Sequence, residues 1–143
     1  MRPGPARPVA PLLRGLTGVE APAGAGEVRA RRIVFDAREV EPGDLFVALR
    51  GRRTDGHLFV GEAVRRGAAA VVVEHGAAVD AAAPAFRVPD TRRALAELAA
   101  AWYGWPGRRL RLVGITGSFG KTGTLNMLDA ILGRAGVCAG IIG

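Results

Sequence analysis

An α/β fold is the class that the sequence predicts, on three observations. From residue 31 onward, short apolar runs typical of buried strands alternate with segments whose apolar residues recur at helical spacing. A Pro-Gly pair at 106–107 divides these segments into two groups. In the second group, a glycine-rich turn joins an apolar run to a helix, as at the start of a βαβ unit. Hydrophobic residues make up 49% of the chain, so a buried core is feasible.

The predicted strands are apolar runs that turn residues interrupt. A Pro-Gly turn at 42–43 precedes the second run, and the third, AAAVVVEH, is rich in β-branched valine. Pro89 ends the fourth. The runs LRLVGIT and VCAGIIG flank the last helix. These patterns predict strands over 33–35, 45–49, 68–75, 85–89, 110–116 and 137–143.

Three helices are predicted between these strands. The first covers the segment LFVGEAVRR and ends at Gly67, since glycine readily adopts the left-handed conformation that follows a helix. The second begins after Asp90, a good N-cap, and ends at Pro106. The third follows the glycine-rich turn and ends at Gly136.

The predicted domain boundary lies at the break near Pro106. Residues 1–30 are rich in proline, glycine and alanine without a sustained period, so a flexible N-terminal tail is predicted there. Residues 31–107 are predicted to form a complete small α/β domain. Residues 108–143 hold a single βαβ unit, which cannot bury both of its faces alone. We therefore expect the chain to be a fragment or a truncated product of a longer protein.

Composition narrows the class of protein. The formal charge is +7, but the arginines are scattered and no aromatic residues alternate with them, which argues against nucleic-acid binding. No apolar run is long enough to span a bilayer, and the N-terminus lacks the apolar core of a signal peptide. The single cysteine, Cys138, is predicted to be buried in the last strand and fits a reducing compartment. A cytoplasmic location is therefore predicted, without a membrane partner. The oligomeric state is not indicated.

The turn GSFGKT, which carries the only lysine of the chain, is typical of a phosphate-binding site. Gly117 and Gly120 let the backbone N–H groups approach a phosphate, and the helix N-terminus adds partial positive charge. Lys121 would neutralise the phosphates, and the hydroxyl of Thr122 would bind Mg²⁺. The strict pattern is not met, because Ile115 stands where it requires glycine. A glycine-rich turn with an exposed lysine is the alternative, and nucleotide binding is favoured.

Two long tracts resemble the N-terminal part of a Mur ligase: DAREVEPGDLFVALRGRRTDGHLFVGEAVRRGAAAVVVE, and then VPDTRRALAELAAAWYGWPGRRLRLVGITGSFGKT. Members of this family use ATP to add amino acids to the UDP-N-acetylmuramoyl-peptide precursor of peptidoglycan. The resemblance covers roughly residues 31–143. It is strongest to the MurE type, which adds diaminopimelate or lysine to the muramoyl-Ala-Glu dipeptide. The string ITGS also resembles the MurF type, which adds D-Ala-D-Ala.

The resemblance implies a UDP-sugar-binding first domain, followed by the opening of a P-loop ATPase domain. ATP would phosphorylate the terminal carboxylate of the peptide, and the incoming amine would displace the phosphate. The implied catalytic residue is Lys121, and Thr122 would lie near the metal ion. The implied cofactor site is Gly117, Ser118, Phe119, Gly120, Lys121, Thr122 and Gly123. The implied substrate contacts are Arg38, within the segment DAR, and Arg52, Arg53 and Thr54, before DGH.

Three positions depart from the pattern of the family. Ala37 replaces the usual serine, which removes one hydroxyl contact to the UDP-sugar. Phe119 stands where the MurE type has asparagine, and Gly123 replaces a threonine. Gly123 lies in the first turn of a helix, where it costs up to about 1 kcal/mol of helix propensity. None of these changes removes the phosphate-binding chemistry.

Some of these residues also have simple local roles. His57 is predicted to cap or pack locally rather than to contact the uracil or the diphosphate. For Arg38, phosphate binding and a surface salt bridge with Glu39 or Glu41 both stay open. Two acidic residues in turn-like sequence are predicted to form turns rather than to act as catalytic acids: Asp44 and Asp55.

Three functions compete at this point. The first is an amino-acid ligase of peptidoglycan precursors, of which this chain alone is expected to be inactive. The second is a non-catalytic UDP-sugar-binding module. The third is an unrelated P-loop enzyme, which would leave residues 31–105 unexplained. The ligase is the leading hypothesis, and the sequence does not say which amino acid it adds.

Overall fold

The computed structural model describes residues 5–51, 54–79 and 82–142. The chain divides into two compact units, the first ending at Pro106 and the second beginning at Gly107. This division falls one residue from the domain boundary that the sequence predicts. Among the described residues, no helix combines the length and the hydrophobicity that a membrane crossing requires.

The first unit is built on a parallel four-stranded sheet. Its strands lie in the order of the chain, β3 (Ile33–Val34), β4 (Leu45–Val47), β5 (Ala70–Glu74) and β6 (Ala85–Val88). The register pairs Val34 with Phe46, Phe46 with Val71 and Val72 with Phe86. A separate antiparallel ribbon joins β1 (Arg7–Pro8) to β2 (Arg29–Ala30). The four strands of the parallel sheet match predicted runs, which confirms those predictions and the α/β class.

Two helices follow strands of this sheet. Helix α1 (Val60–Arg65) lies between β4 and β5 in the chain, and Gly67 follows it with φ of 96°. Helix α2 (Thr91–Trp102) begins at Asp90, whose carboxylate accepts the backbone N–H groups of Arg92 and Arg93 at 2.8 and 3.0 Å. The predicted N-cap is therefore confirmed.

The strands bury both faces of the sheet, because successive side chains point to opposite sides. On one face, Leu45, Val47 and Val72 pack with Ala94 and Leu98 of α2. On the other face, Phe46, Val71 and Val73 pack with residues of α1. This double burial explains why the strands read as continuous apolar runs rather than as alternating patterns.

The predicted N-terminal tail is wrong for the described residues 5–30. Val9 and Leu13 are fully buried against the α2 face of the sheet, and Ala30 lies in the same cluster. The backbone of Glu20 pairs with Arg87 on the free edge of β6, with both N–H···O distances at 2.9 Å. The segment lacks a period because it packs through single apolar side chains and short 3₁₀ and strand segments rather than through one long element.

The second unit contains helix α3 (Lys121–Arg134), as predicted. The predicted strands over 110–116 and 137–143 are not formed in its described part, which ends at residue 142. A strand is stabilised by hydrogen bonds to a neighbouring strand, and neither segment has such a ladder there. Leu112 and Val113 are exposed, and Cys138 is exposed as well, so its predicted burial is also wrong.

Candidate functional site

The carboxyl edge of the parallel sheet gathers polar residues from all four strands. Asp36 follows β3, Arg50 follows β4, Glu74 ends β5 and Asp90 follows β6. Carboxyl ends of parallel strands meet at one edge, and this edge is where open α/β sheets bind ligands. Two of the four residues that resemble substrate contacts, Arg38 and Thr54, belong to the loops at this edge.

Asp36 and Arg38 form a local ion pair at this edge. The guanidinium Nη2 lies 2.6 Å and Nε 3.0 Å from the two oxygens of the Asp36 carboxylate, which also accepts the Arg38 backbone N–H. The side-chain hydrogen bonds from Arg38, and then its backbone N–H, lower the pKa of Asp36 to about 2. The sequence predicts Glu39 or Glu41 as a salt-bridge partner of Arg38, and the structure shows that Asp36 is the partner instead. Asp36 and Arg38 are two positions apart, the spacing at which an Asx-type turn joins an aspartate to a following N–H group, so this spacing could have indicated the pair.

In the second loop of the edge, the described residues 49–51 and 54–56 form the two stems of a narrow hairpin. Arg50 and Asp55 form an antiparallel bridge, and the Gly56 N–H donates to the Leu49 carbonyl oxygen at 2.8 Å. A Cβ atom at Gly56 would lie 2.6 Å from that oxygen, so a side chain has no room there. Thr54 is exposed in this hairpin. The predicted contacts Arg52 and Arg53 lie outside the described residues.

A hydrogen-bonded network connects this hairpin to the end of β5. His57 Nδ1 lies 2.6 Å from Asp55 Oδ1, and the backbone N–H of Glu74 donates to His57 Nε2 at 2.9 Å. Arg50 lies 3.4 Å from the Asp55 carboxylate and 3.3 Å from that of Glu74. Hydrogen bonds from the backbone and then the ring of His57 lower the pKa of Asp55. The predicted local role of His57 and the turn-forming role of Asp55 are confirmed.

Three residues at or near the sheet form contacts that the sequence does not predict. Glu74 received no role, although it binds Arg50, because the contact joins residues that only the fold brings together. Arg66 has no predicted role, yet it donates to backbone carbonyls of the loop after β3. Asp44 is a turn former as predicted, since it exchanges hydrogen bonds with Glu41, and its buried carboxylate also forms an ion pair with Arg32 at the amino edge of the sheet.

The glycine-rich turn lies in the second unit, where it precedes α3. Gly117 has φ of 154° and Gly120 has φ of 77°, and Gly120 is the N-cap of the helix. The first helical hydrogen bond runs from Thr124 N to Gly120 O. The N–H groups of Lys121, Thr122 and Gly123 therefore have no partner within the helix. Lys121 Nζ donates to Gly117 O at 2.5 Å, so the ammonium lies over the turn.

The polar groups of these residues are of the kinds that bind the phosphates of a nucleotide. The positive φ values turn the backbone in a way that glycine permits, and free N–H groups with one ammonium form a donor set for phosphate oxygens. Ser118 and Thr122 add exposed hydroxyl groups, while the side chain of Phe119 is 95% exposed at the tip of the turn. No cluster of three or more His, Cys, Asp or Glu side chains suited to a metal exists among the residues described. The hydroxyl of Thr122 would supply one oxygen ligand to Mg²⁺, beside phosphate oxygens and water.

Comparison with known proteins points to one family. A model described as "Mur ligase family, catalytic domain" matches residues 30–103, just over half of the chain. The match ends before the glycine-rich turn, so it rests on the first unit alone.

Individual relatives carry names from this family. The UDP-N-acetylmuramyl-tripeptide synthetase of Roseiflexus sp. is 52% identical over 112 residues, 78% of this chain and 22% of the relative. The UDP-N-acetylmuramoyl-L-alanyl-D-glutamate–2,6-diaminopimelate ligase of Syntrophomonas wolfei is 42% identical over 92% of this chain and 27% of its own length. The chain thus spans about a quarter of the length of these relatives.

Solved structures agree at the level of the fold. MurF from Acinetobacter baumannii superposes with a TM-score of 0.68 at 33% identity, covering 92% of this chain and 28% of that one. MurF from Thermotoga maritima, solved with ADP, gives a TM-score of 0.54 at 38% identity, with coverage of 73% and 24%. With the matched family model, these similarities lead to one conclusion: the chain belongs to the Mur ligase family.

Proposed function

We propose that this chain is part of an ATP-dependent ligase of the MurE type in peptidoglycan synthesis. The ligase adds diaminopimelate or lysine to UDP-N-acetylmuramoyl-L-alanyl-D-glutamate. The observation that carries the proposal is the similarity, over 92% of this chain, to ligases whose names specify the diaminopimelate reaction. The proposal includes the cytoplasmic location that the single cysteine predicts. The first unit is assigned to substrate binding and the second to the beginning of the ATP site.

In the first unit, the carboxyl edge of the sheet is the proposed site of the UDP-sugar. Arg38 keeps one edge of its guanidinium on Asp36, which orients the other N–H groups. Because 82% of the Arg38 side chain is exposed, these groups are accessible to a diphosphate. Thr54 and the sequence-predicted contacts Arg52 and Arg53 complete the proposed set. Four positively charged or polar groups from two loops would thus bind the anionic part of the substrate.

In the second unit, the residues from Gly117 to Gly123 are proposed to bind ATP. The turn supplies backbone N–H groups, and Lys121, which donates to the Gly117 carbonyl oxygen, would donate to phosphate oxygens instead. Thr122 is proposed to contact Mg²⁺. When bound, ATP supplies the phosphoryl group that activates the peptide carboxylate for attack by the incoming amine. The contribution of the chain is to fix charge and orientation there, which is where such reactions gain most of their rate.

A MurF-type ligase is the second candidate. It is favoured by the solved structures of MurF that superpose on this chain with TM-scores of 0.66–0.68. The two types differ in substrate, since one uses the UDP-muramoyl dipeptide and the other the UDP-muramoyl tripeptide with D-Ala-D-Ala. A non-catalytic UDP-sugar-binding module would bind the same sugar nucleotide without turnover.

The test is to produce the protein encoded by the full reading frame that contains this sequence and to measure phosphate release. Each reaction contains ATP, Mg²⁺ and either the dipeptide substrate with diaminopimelate or lysine, or the tripeptide substrate with D-Ala-D-Ala. We expect release only with the dipeptide substrate. Turnover with the tripeptide substrate alone would assign the MurF type, and no turnover with binding of the sugar nucleotide would assign the binding module.

The 143-residue chain serves as the control. It is expected to bind the UDP-sugar in a calorimetric titration and to release no phosphate. Amide-bond formation by this chain alone would contradict the assignment of its second unit as only the beginning of an ATP site.

A further inference from the structure

Both ring nitrogens of His57 form hydrogen bonds, one as a donor and the other as an acceptor. Nδ1 lies 2.6 Å from the carboxylate of Asp55, and Nε2 lies 2.9 Å from the backbone nitrogen of Glu74. The side chain is only 9% exposed. A ring enclosed in this way has no free nitrogen for a substrate, so a direct contact to the uracil or the diphosphate is excluded in this arrangement.

The position of the ring proton follows from the partners. A backbone N–H can only donate, so Nε2 of His57 accepts and carries no proton. The ionised carboxylate of Asp55 can only accept, so Nδ1 carries the proton and donates. The low pKa of Asp55 agrees with its ionised state. His57 is therefore held as the Nδ1–H tautomer.

This tautomer connects two parts of the carboxyl edge. Asp55 lies on one stem of this hairpin and pairs with Arg50 on the other stem. Glu74 is the last residue of β5, a strand buried along most of its length. The ring of His57 therefore fixes the hairpin to the end of this buried strand. Arg50 adds a second, more exposed connection to the Glu74 side chain at 3.3 Å.

We propose that His57 is a positioning residue for UDP-sugar binding: as the Nδ1–H tautomer it holds the described stems of this hairpin, with Thr54, in register with the end of β5. This proposal rests on the proposed function, because it takes the hairpin as part of the substrate site. His57 acts through Asp55 and Glu74 without touching the substrate. Loss of the Glu74 hydrogen bond would free the hairpin to move and would weaken binding, since part of the binding energy would then order the loop.

The first readout needs no ligand. The chain has two histidines, and the second, His75, places Nε2 2.8 Å from the carbonyl oxygen of Gly18, so that nitrogen must carry a proton. In ¹⁵N–¹H NMR spectra of the imidazole rings above neutral pH, we expect a bare Nε2 for His57 and a protonated Nε2 for His75. A protonated Nε2 on His57 would overturn the proposal.

The second readout is the affinity for UDP-N-acetylmuramoyl-L-alanyl-D-glutamate, measured by calorimetry on the chain. We expect His57→Ala to weaken binding about five- to tenfold, as for the loss of one or two buried hydrogen bonds. His57→Gln retains an acceptor near the place of Nε2 and should recover most of the affinity. His57→Asn retains only a donor toward Asp55 and should resemble the alanine variant. His75→Ala is the matched control and should bind like the unchanged chain.

The outcomes distinguish failure of the proposed function from failure of the positioning role of His57. If the unchanged chain does not bind the UDP-sugar, the proposed function fails, and the positioning role fails with it. If the unchanged chain binds and His57→Ala binds equally well, only the positioning role is overturned. Equal affinities of the Gln and Asn variants would also overturn it, because the Glu74 contact would then not matter. Should the alanine variant not fold, the Gln and Asn pair and the tautomer measurement decide.

Discussion

Arg66 Nη2 donates a 2.6 Å hydrogen bond to the carbonyl oxygen of Arg38, 28 positions earlier in the chain. Its Nε also lies 3.3 Å from the carbonyl oxygen of Val40. The residue after α1 thus holds the backbone of the loop that carries a proposed substrate contact.

Replacing Arg66 by alanine is expected to lower the free energy of unfolding by about 1–2 kcal/mol. Two backbone carbonyls would lose charged donors, and the partial exposure of the site keeps the loss at the low end for such bonds. The same variant should weaken UDP-sugar binding. Urea denaturation and calorimetry measure the two effects. Arg65→Ala is the control, since Arg65 is exposed and makes no hydrogen bond to residues 36–40 in the described part of the chain. Equal effects of the two variants would refute the role of Arg66.

Leu13 tests the correction to the predicted N-terminal tail. It is 3% exposed and packs against the α2 face of the sheet, so Leu13→Ala should lower the free energy of unfolding by about 2–5 kcal/mol. Leu58, which is 78% exposed, is the control, and its alanine variant should stay within about 0.5 kcal/mol of the unchanged chain. If both variants are equally stable in urea, residues 5–30 do not contribute to the core.

The predictions that succeeded share a physical origin. Strands β3 to β6 are buried on both faces by the rest of the first unit, so local hydrophobicity was enough to locate them. The N-cap at Asp90 and the turn at Asp55 are contacts within three residues, so the local sequence alone determines them.

The predictions that failed depended on contacts distant in the chain. Residues 5–30 become ordered only because β6 and the sheet face offer partners to Glu20 and Leu13. The run LRLVGIT is as apolar as the true strands, but its described surroundings give it no neighbouring strand. The link from His57 to Glu74 spans 17 positions and carries no sequence pattern. Whether Arg38, Thr54 and Lys121 bind the proposed ligands stays a prediction.

Asp44 is expected to be the most sensitive charged residue of the first unit. It is 1% exposed and accepts three hydrogen bonds, two from Arg32 at 2.6 and 3.1 Å and one from the backbone N–H of Glu41 at 2.9 Å. Asp44→Ala leaves Arg32 without its buried partner and should cost about 2–4 kcal/mol, slightly less than for a fully buried pair because Arg32 is partly exposed.

The side chain of Glu41 provides the matched control for Asp44. It lies 3.3 Å from the same Arg32 nitrogen but is 64% exposed, so Glu41→Gln should change the free energy of unfolding by less than about 1 kcal/mol. Both variants are measured by urea denaturation at one salt concentration. Similar losses from the two variants would show that burial does not distinguish the two carboxylates.

The ion pair of Asp36 predicts a pH dependence of stability at the carboxyl edge of the sheet. Its pKa is lowered from 3.8 to about 2, chiefly by the side-chain hydrogen bonds of Arg38. A carboxylate with a lowered folded-state pKa stabilises the folded state above its unfolded pKa, and this contribution disappears as the pH falls from about 4 toward 2. A ¹³C NMR titration of the carboxyl group should give a midpoint near 2. In Arg38→Ala, the midpoint should rise but stay below 3.8, since the backbone N–H of residue 38 still donates.

The salt dependence of the Asp36 titration midpoint distinguishes an exposed ion pair from a buried one. The Arg38 side chain is 82% exposed, so high salt should move the Asp36 midpoint upward. A midpoint near 3.8 in the unchanged chain at low salt would contradict the ion pair. A low midpoint that persists in Arg38→Ala would assign the shift to the backbone hydrogen bond alone.

Lys121 is expected to be irreplaceable, even by arginine, in the protein encoded by the full reading frame. The charge is the same in both residues, but the planar guanidinium does not fit where a compact ammonium lies over the Gly117 carbonyl oxygen. Lys121→Arg should therefore lower kcat by roughly 100-fold or more, comparable to losing one donor to the transition-state charge. The reciprocal change Arg134→Lys, at the other end of α3, should leave kcat unchanged.

The two quantities to compare are kcat and the dissociation constant of ATP, from phosphate release and from competition with a fluorescent nucleotide. A loss in kcat larger than the loss in affinity indicates that Lys121 acts mainly on the charge that develops during phosphoryl transfer. Equal losses indicate that it binds ground state and transition state alike. An arginine variant with unchanged kcat would show that the turn needs only a positive charge, and the choice of lysine over arginine at this position would then not matter for the reaction.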